Sequence, residues 1–186
     1  MSAPPPANRR ILVVDDNPSI HDDFRRMMHV ETGSAELDAA AAALFGVVPA
    51  APAPVLEPFQ LSSALQGQQA LQMVTAACAA GTPYALAFVD MRMPPGWDGL
   101  TTIQKLWEVD RNLSVVICTA YSDYTWEEIR AALPEHGCWM VLKKPFEKIE
   151  ALQMANALAQ RWDLRQTARK RIAELEAALA ASSVPA

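Results

Sequence analysis

Short, almost uniformly apolar runs recur along this chain, and each is followed directly by polar or charged residues. The four clearest runs are Ile11–Val14, Ala85–Val89, Leu113–Cys118 and Trp139–Leu142. Because apolar residues occupy successive positions rather than alternate ones, these runs predict strands buried on both faces of a parallel sheet. A weaker run, Phe59–Ala64, fits a strand at the edge of that sheet.

Helical patterns separate the predicted strands. Asn17 can cap a helix whose first position is Pro18. Residues 68–80 predict a second helix, and Thr125 and Glu128 form a capping box for a further one. Strands that alternate with helices in this way are typical of an α/β domain.

A long helical pattern fills residues 146–180, which contain neither Gly nor Pro. Beyond Trp162 the pattern becomes strongly charged, and apolar residues at heptad spacing are confined to Ile172, Leu175 and Leu179. Two interpretations stay open. This segment is either a solvated helix end or the start of a coiled coil through which two copies of the chain pair.

Composition divides the chain into three parts. Residues 1–8 are rich in proline and predict a disordered tail, residues 9–162 hold one domain, and residues 163–186 form a helical extension. Within the domain, residues 31–58 are rich in alanine and proline and separate the first helix from the second strand. We interpret them as a surface insertion, and a flexible loop is an equally good interpretation.

Carboxylates follow two of the predicted strands. Asp15 and Asp16 come after the first apolar run, and Asp90 comes after the second. Parallel strands place their carboxyl ends at one sheet edge, where the ligands of α/β domains bind. Three carboxylates that converge there need a cation, and an oxygen-only ligand set favours Mg²⁺. A carboxylate beside such an ion is also a competent nucleophile toward phosphorus.

A hydroxyl and ammonium groups follow the remaining two strands. Thr119 ends one of them, and Lys143, Lys144 and Pro145 end the other. Together with the acids, this ordered set resembles the response-regulator receiver domain of two-component signalling over about residues 9–162. The resemblance implies a doubly wound, flavodoxin-like sheet of five parallel strands in the order 2-1-3-4-5. The helix at the C-terminus is longer than the family requires.

The resemblance also implies a role for each residue of the pocket. Asp90 is the phosphate acceptor and takes a phosphoryl group from a histidine kinase or a phosphotransfer protein. Thr119 and Lys144, the lysine that directly precedes the proline, hold phosphoryl oxygens. The acceptance of the phosphoryl group then changes the affinity for a partner.

The same resemblance supplies the expected ligands of Mg²⁺. Asp16 binds the ion directly and Asp15 binds it largely through water. Asp90 and the backbone carbonyl of Arg92 complete the protein ligands. No other cofactor is expected.

Two alternatives belong to other functional classes. The first is a docking or dimerisation adaptor that keeps the receiver fold and acts without phosphorylation. The second is a hydrolase with an aspartate nucleophile, which needs an acid–base Asp two residues after that nucleophile. This chain has Arg92 there. We therefore expect a signalling domain that catalyses only its own phosphorylation and dephosphorylation.

Charge and cysteine content limit the remaining classes. The net charge of -5 argues against electrostatic binding to nucleic acid or to an anionic membrane. No apolar segment predicts a signal peptide or a membrane span. Cys78, Cys118 and Cys138 lack metal-ligand spacing and predict the free thiols of a cytoplasmic protein. His21, like the other two histidines, is expected on a surface or a helix face and is not expected to be a phosphate donor or a metal ligand.

Overall fold

A computed structural model describes residues 7–28, 58–120, 124–133 and 137–182 of the chain. Within these ranges, five parallel strands form one sheet in the order β2-β1-β3-β4-β5. The strands are β1 (Arg10–Val14), β2 (Gln60–Ala64), β3 (Leu86–Asp90), β4 (Ser114–Thr119) and β5 (Trp139–Lys143). This order confirms the predicted doubly wound fold.

Helices occupy the described segments between and after these strands. They are α1 (Pro18–Met28), α2 (Gly67–Ala79), α3 (Gly99–Val109), α4 (Trp126–Ala132) and α5 (Lys148–Ser182). At the start of α1, the Asn17 side chain accepts a hydrogen bond of 3.0 Å from the Ser19 N–H. Thr125 and Glu128 form the predicted capping box of α4. Both caps satisfy backbone N–H groups that have no partner within the helix.

The sheet is buried on both faces, which explains why its strands lack a polar alternation. Along β1, Leu12 and Val14 join one apolar cluster, and Ile11 and Val13 join the other. Successive strand residues point to opposite faces, so each strand feeds both clusters. Helices α2, α3 and α4 complete the first cluster, and α1 and α5 complete the second. The strand ends are therefore the part of the sheet that is open to ligands.

The last helix, α5, confirms the predicted C-terminal extension. It is 35 residues long, which corresponds to about 52 Å at 1.5 Å per residue. Its first part packs on the sheet through Ala151, Ala155 and Leu158. Its later part exposes four large apolar side chains, those of Leu164, Ile172, Leu175 and Leu179. Among the helices of the described ranges, none combines the length and the apolar character needed to cross a bilayer.

The structure distinguishes between the two positions predicted for His21, a surface and a helix face. His21 is not on a surface, because only 3% of it is exposed. It shares its face of α1 with Phe24 and Met28, which are also buried. The expectations for most of the tail (1–6), for the insertion up to residue 57 and for the last residues of the extension (183–186) lie outside the described part of the chain.

Candidate functional site

The carboxyl ends of the strands meet at one edge of the sheet and carry the predicted site residues. β3 ends at Asp90, whose register partner on β4 is Cys118. β4 ends at Thr119, whose partner on β5 is Lys143. Asp15 follows β1, which lies beside β3. The parallel register therefore brings residues from distant parts of the chain to one place.

Lys144 connects two of the predicted acids. Its Nζ lies 2.8 Å from Asp15 Oδ2 and 2.6 Å from Asp90 Oδ1, so one ammonium group serves both carboxylates. Both acids are buried, whereas 26% of the Lys144 side chain is exposed. The backbone N–H of Lys144 also donates to the backbone carbonyl of Thr119 over 2.8 Å. The peptide bond from Lys144 to Pro145 is cis.

Burial and charge act in opposite directions on this cluster. Burial raises the pKa of Asp90, and the hydrogen bond and positive charge of Lys144 offset only part of that rise. Burial by itself lowers the pKa of Lys144, but the hydrogen bonds and charges of Asp15 and Asp90 outweigh it and raise that pKa. The ammonium group therefore stays protonated, and it favours the ionised form of Asp90.

Backbone groups hold Asp90 from its other side. Its Oδ2 accepts a hydrogen bond of 2.9 Å from the Arg92 N–H. Helix α3 also begins close by, since a Cβ on Gly99 would lie 2.5 Å from the Asp90 carbonyl oxygen. The thiol of Cys118 is no rival nucleophile, because burial raises its pKa far above the usual range and leaves little thiolate.

The acidic loop after β1 is held by local contacts. Asp15 Oδ1 accepts a hydrogen bond of 2.9 Å from the Asn17 N–H, while Asp16 is partly exposed. His21 Nε2 lies 2.7 Å from the Asp15 carbonyl oxygen, a contact that the sequence analysis missed. The signal for it was present, because His21, Phe24 and Met28 recur at the spacing of one buried helix face.

Thr119 lies at the end of β4 and is buried. Its hydroxyl donates to the Ala120 carbonyl over 3.0 Å. The structure thus brings Asp15, Asp90 and Lys144 into direct contact, and it joins Thr119 to Lys144 through the backbone. The roles assigned to these residues, to Asp16 and to the Arg92 carbonyl stay predictions.

The chemistry of the donor groups fits Mg²⁺. Within the described ranges, no set of three or more His, Cys, Asp or Glu side chains converges as a complete metal cage. Mg²⁺ does not need one, because it commonly takes one or two carboxylates and completes its shell with water and phosphate oxygens. Asp15 and Asp90 already share one positive group at 2.8 and 2.6 Å, so their oxygens can act on a common charge.

Comparison with known protein families decides the class of protein. A family profile described as the response regulator receiver domain matches residues 56–156. The chain belongs to the response regulator receiver family. The match includes Asp90, Thr119 and Lys144, while Asp15 and Asp16 lie before its first residue. No curated protein sequence matches the chain.

Solved structures share this receiver's fold. An adenylate cyclase from Rhodopirellula baltica is 22% identical with a TM-score of 0.63, over 89% of this chain and 97% of that one. A CheY-like receiver domain protein from Methanospirillum hungatei is 15% identical with a TM-score of 0.58, over 84% and 98%. The signal receiver domain of an HD domain-containing protein from Pseudomonas fluorescens is 16% identical with a TM-score of 0.60, over 90% and 97%. At these identities the likeness concerns the fold.

A hydrogen bond connects the segment after β3 with the segment after β4. The Tyr124 hydroxyl donates to Asp98 Oδ2 over 3.1 Å, and Asp98 Oδ1 caps α3 by accepting from the Thr101 N–H over 2.7 Å. Burial alone would raise the pKa of Asp98, but the hydrogen bonds from Thr101 and Tyr124 lower it. These hydrogen bonds therefore favour the ionised form of Asp98.

Proposed function

We propose that this receiver accepts a phosphoryl group on Asp90 from the phosphohistidine of a histidine kinase or a phosphotransfer protein. The observation that carries the proposal is the Lys144 ammonium group, which contacts both Asp15 and Asp90 at the strand ends. A buried carboxylate beside a fixed cation can attack phosphorus, while the cation offsets the charge that the phosphoryl oxygens bring. The membership of the receiver family supports the same reaction.

The transfer exchanges one bond to phosphorus for another. A carboxylate oxygen of Asp90 attacks phosphorus, the bond from phosphorus to the donor's histidine nitrogen breaks, and that nitrogen keeps the electron pair. Asp90 must be ionised, and Lys144 favours this form against the effect of burial. Lys144 and Thr119 then hold phosphoryl oxygens. Asp16, Asp90 and the Arg92 carbonyl would hold Mg²⁺, with Asp15 acting largely through water, and the bound ion would supply further neutralising charge.

The acyl phosphate would change the surface around β4 and β5. At present Lys144 is held by two carboxylates, and modification of Asp90 replaces one of these contacts with contacts to phosphoryl oxygens. Because the Lys144 N–H also bonds to the Thr119 carbonyl, this change reaches the end of β4 directly. We infer that the segments that follow these strands alter their affinity for a partner.

Intact-mass measurement after incubation with acetyl phosphate and Mg²⁺ tests the proposal. Wild-type protein should gain one phosphoryl group, and the Asp90→Asn variant should gain none. Asp22→Asn is the matched control, because Asp22 is an exposed acid of α1 that pairs with Arg25. Modification that persists in Asp90→Asn, or that is lost equally in Asp22→Asn, would overturn the assignment.

The exposed part of α5 favours pairing of two copies as the route to the output. Leu164, Ile172 and Leu175 lie beyond the part of α5 that packs on the sheet, and 68% of Leu175 is exposed. Burial of an apolar side chain contributes about 1.5–3 kcal/mol, so a few such residues in each chain support a weak dimer. Pairing without phosphorylation would make the protein an adaptor.

The three free cysteines of the described residues are consistent with a cytoplasmic location.

A further inference from the structure

His21 makes a contact that neither packing nor the phosphoryl transfer explains. It lies on α1, is almost fully buried, and places Nε2 2.7 Å from the Asp15 carbonyl oxygen. A carbonyl oxygen only accepts hydrogen bonds, so Nε2 carries the hydrogen and donates it. The other ring nitrogen, Nδ1, is buried without a hydrogen-bond partner among the described residues.

Every other polar atom of Asp15 already has a partner. Its N–H donates to the Ala64 carbonyl over 3.1 Å, its Oδ1 accepts from the Asn17 N–H, and its Oδ2 accepts from Lys144. His21 supplies the contact to the remaining group, the carbonyl. That carbonyl belongs to the peptide bond between Asp15 and Asp16, so His21 fixes the plane of the peptide that joins the two acids.

An apolar residue would suit the core at this position better than histidine does. His21 is buried on the same helix as Phe24 and Met28, which belong to an apolar cluster, and its Nδ1, which has no partner among the described residues, makes burial unfavourable. Among the described residues, the bond from Nε2 to the Asp15 carbonyl is the interaction of this side chain that an apolar residue cannot reproduce. A polar group that is buried at such a cost calls for a reason beyond packing.

We propose that His21 is a positioning residue for the divalent cation. It orients the peptide between Asp15 and Asp16, and thereby the direction in which the Asp16 carboxylate leaves the backbone. The removal of a group that orients a metal ligand without touching the metal typically lowers the metal affinity by about 10- to 100-fold. This inference rests on the proposed function, because it assumes that the two acids bind Mg²⁺.

Two amide substitutions separate the hydrogen bond from the side chain's bulk. In His21→Gln, the amide nitrogen stands as many bonds from Cβ as Nε2 does, so it can donate to the Asp15 carbonyl. In His21→Asn, the amide nitrogen corresponds to Nδ1 and falls short of that carbonyl. His21→Leu removes the donor altogether and keeps the residue apolar.

Isothermal titration of the unphosphorylated full chain with MgCl₂ is the measurement. We expect Mg²⁺ affinity to fall about 10-fold in His21→Asn and His21→Leu, and to stay within about 3-fold of wild type in His21→Gln. Thermal unfolding in EDTA, followed by circular dichroism, reports stability separately. A merely structural role would change the unfolding temperature and leave the Mg²⁺ affinity unchanged. If His21→Leu does not fold, the comparison of Gln with Asn decides the question.

The possible failures are distinguishable. Wild-type affinity in both the Asn and Leu variants overturns the role of His21 while leaving the proposed function intact, and so does an affinity of the Gln variant as low as that of the Asn variant. A wild-type chain that binds no Mg²⁺ and gains no phosphoryl group overturns both. Loss of affinity in Asn and Leu with recovery in Gln supports His21 as the residue that positions the acidic loop.

Discussion

The Lys144→Met substitution removes the cation that Asp15 and Asp90 share and keeps a side chain of similar length. Two charge-assisted contacts, of 2.8 and 2.6 Å, are lost. A hydrogen bond to a charged group contributes about 1.5–3 kcal/mol. The net loss is smaller than the sum, because 26% of the Lys144 side chain is exposed and the partial desolvation of its ammonium group on folding already offsets part of the gain in the wild type. We expect the free energy of unfolding of the Mg²⁺-free protein to fall by about 2 kcal/mol.

A double-mutant cycle isolates the contact between Lys144 and Asp90. Asp90→Asn removes the charge at one end, so Lys144→Met should destabilise less in that background, with a coupling energy of about 1 kcal/mol. The free energies come from urea unfolding in EDTA, with the slopes compared to verify that the unfolded states match. Lys143→Met is the matched control, because Lys143 is the exposed neighbour at the end of β5. It should change the stability by less than about 0.5 kcal/mol.

Two results would contradict this reasoning. If the effects of Lys144→Met and Asp90→Asn add to within about 0.3 kcal/mol, the contact contributes no net stability. If Lys143→Met destabilises as much as Lys144→Met, the effect is one of overall positive charge near the sheet edge. In either case the shared ammonium group would not be the organising feature of the site.

Two further predictions concern the cap of α3 and the exposed part of α5. The pKa of Asp98 is lower in the folded protein than in the unfolded chain, where it is about 3.9. The contribution of Asp98 to the stability of the fold is therefore complete above that value and is lost as the pH falls through the pKa of the folded protein. The stability difference between wild type and Asp98→Asn, from urea unfolding across a pH series, should therefore shrink on acidification below about pH 4; a constant difference would refute the role of the charge. Leu175→Glu should convert the dimer into a monomer in light scattering over a concentration series, whereas Ala173→Glu, on the opposite side of α5, should leave the mass unchanged. A wild-type chain that stays monomeric at every concentration would favour a solvated helix end.

The sequence by itself determined the sheet and the residues at its edge. Ile11–Val14 and Ala85–Val89 are apolar at successive positions, so helices must cover both faces of the sheet they form. Asp15 and Asp90 follow those runs, and parallel strands end at one edge, so the two acids had to lie near one another. The caps at Asn17 and Thr125 were equally predictable, because they depend on contacts within a few residues. These features follow from periodicity and chain direction, which a sequence displays directly.

Only the tertiary structure decided which of the neighbouring groups touch. Lys143 and Lys144 are adjacent in the chain, yet the first is exposed and the second contacts Asp15, 129 residues away. The contact of His21 with the acidic loop and the bond from Tyr124 to Asp98 were not predicted from the sequence. Each of these contacts depends on how two elements that are distant along the chain pack at distances of about 3 Å. Local periodicity indicates which face of an element is buried, but the identity of the atoms that meet there is set by the packing of the whole fold.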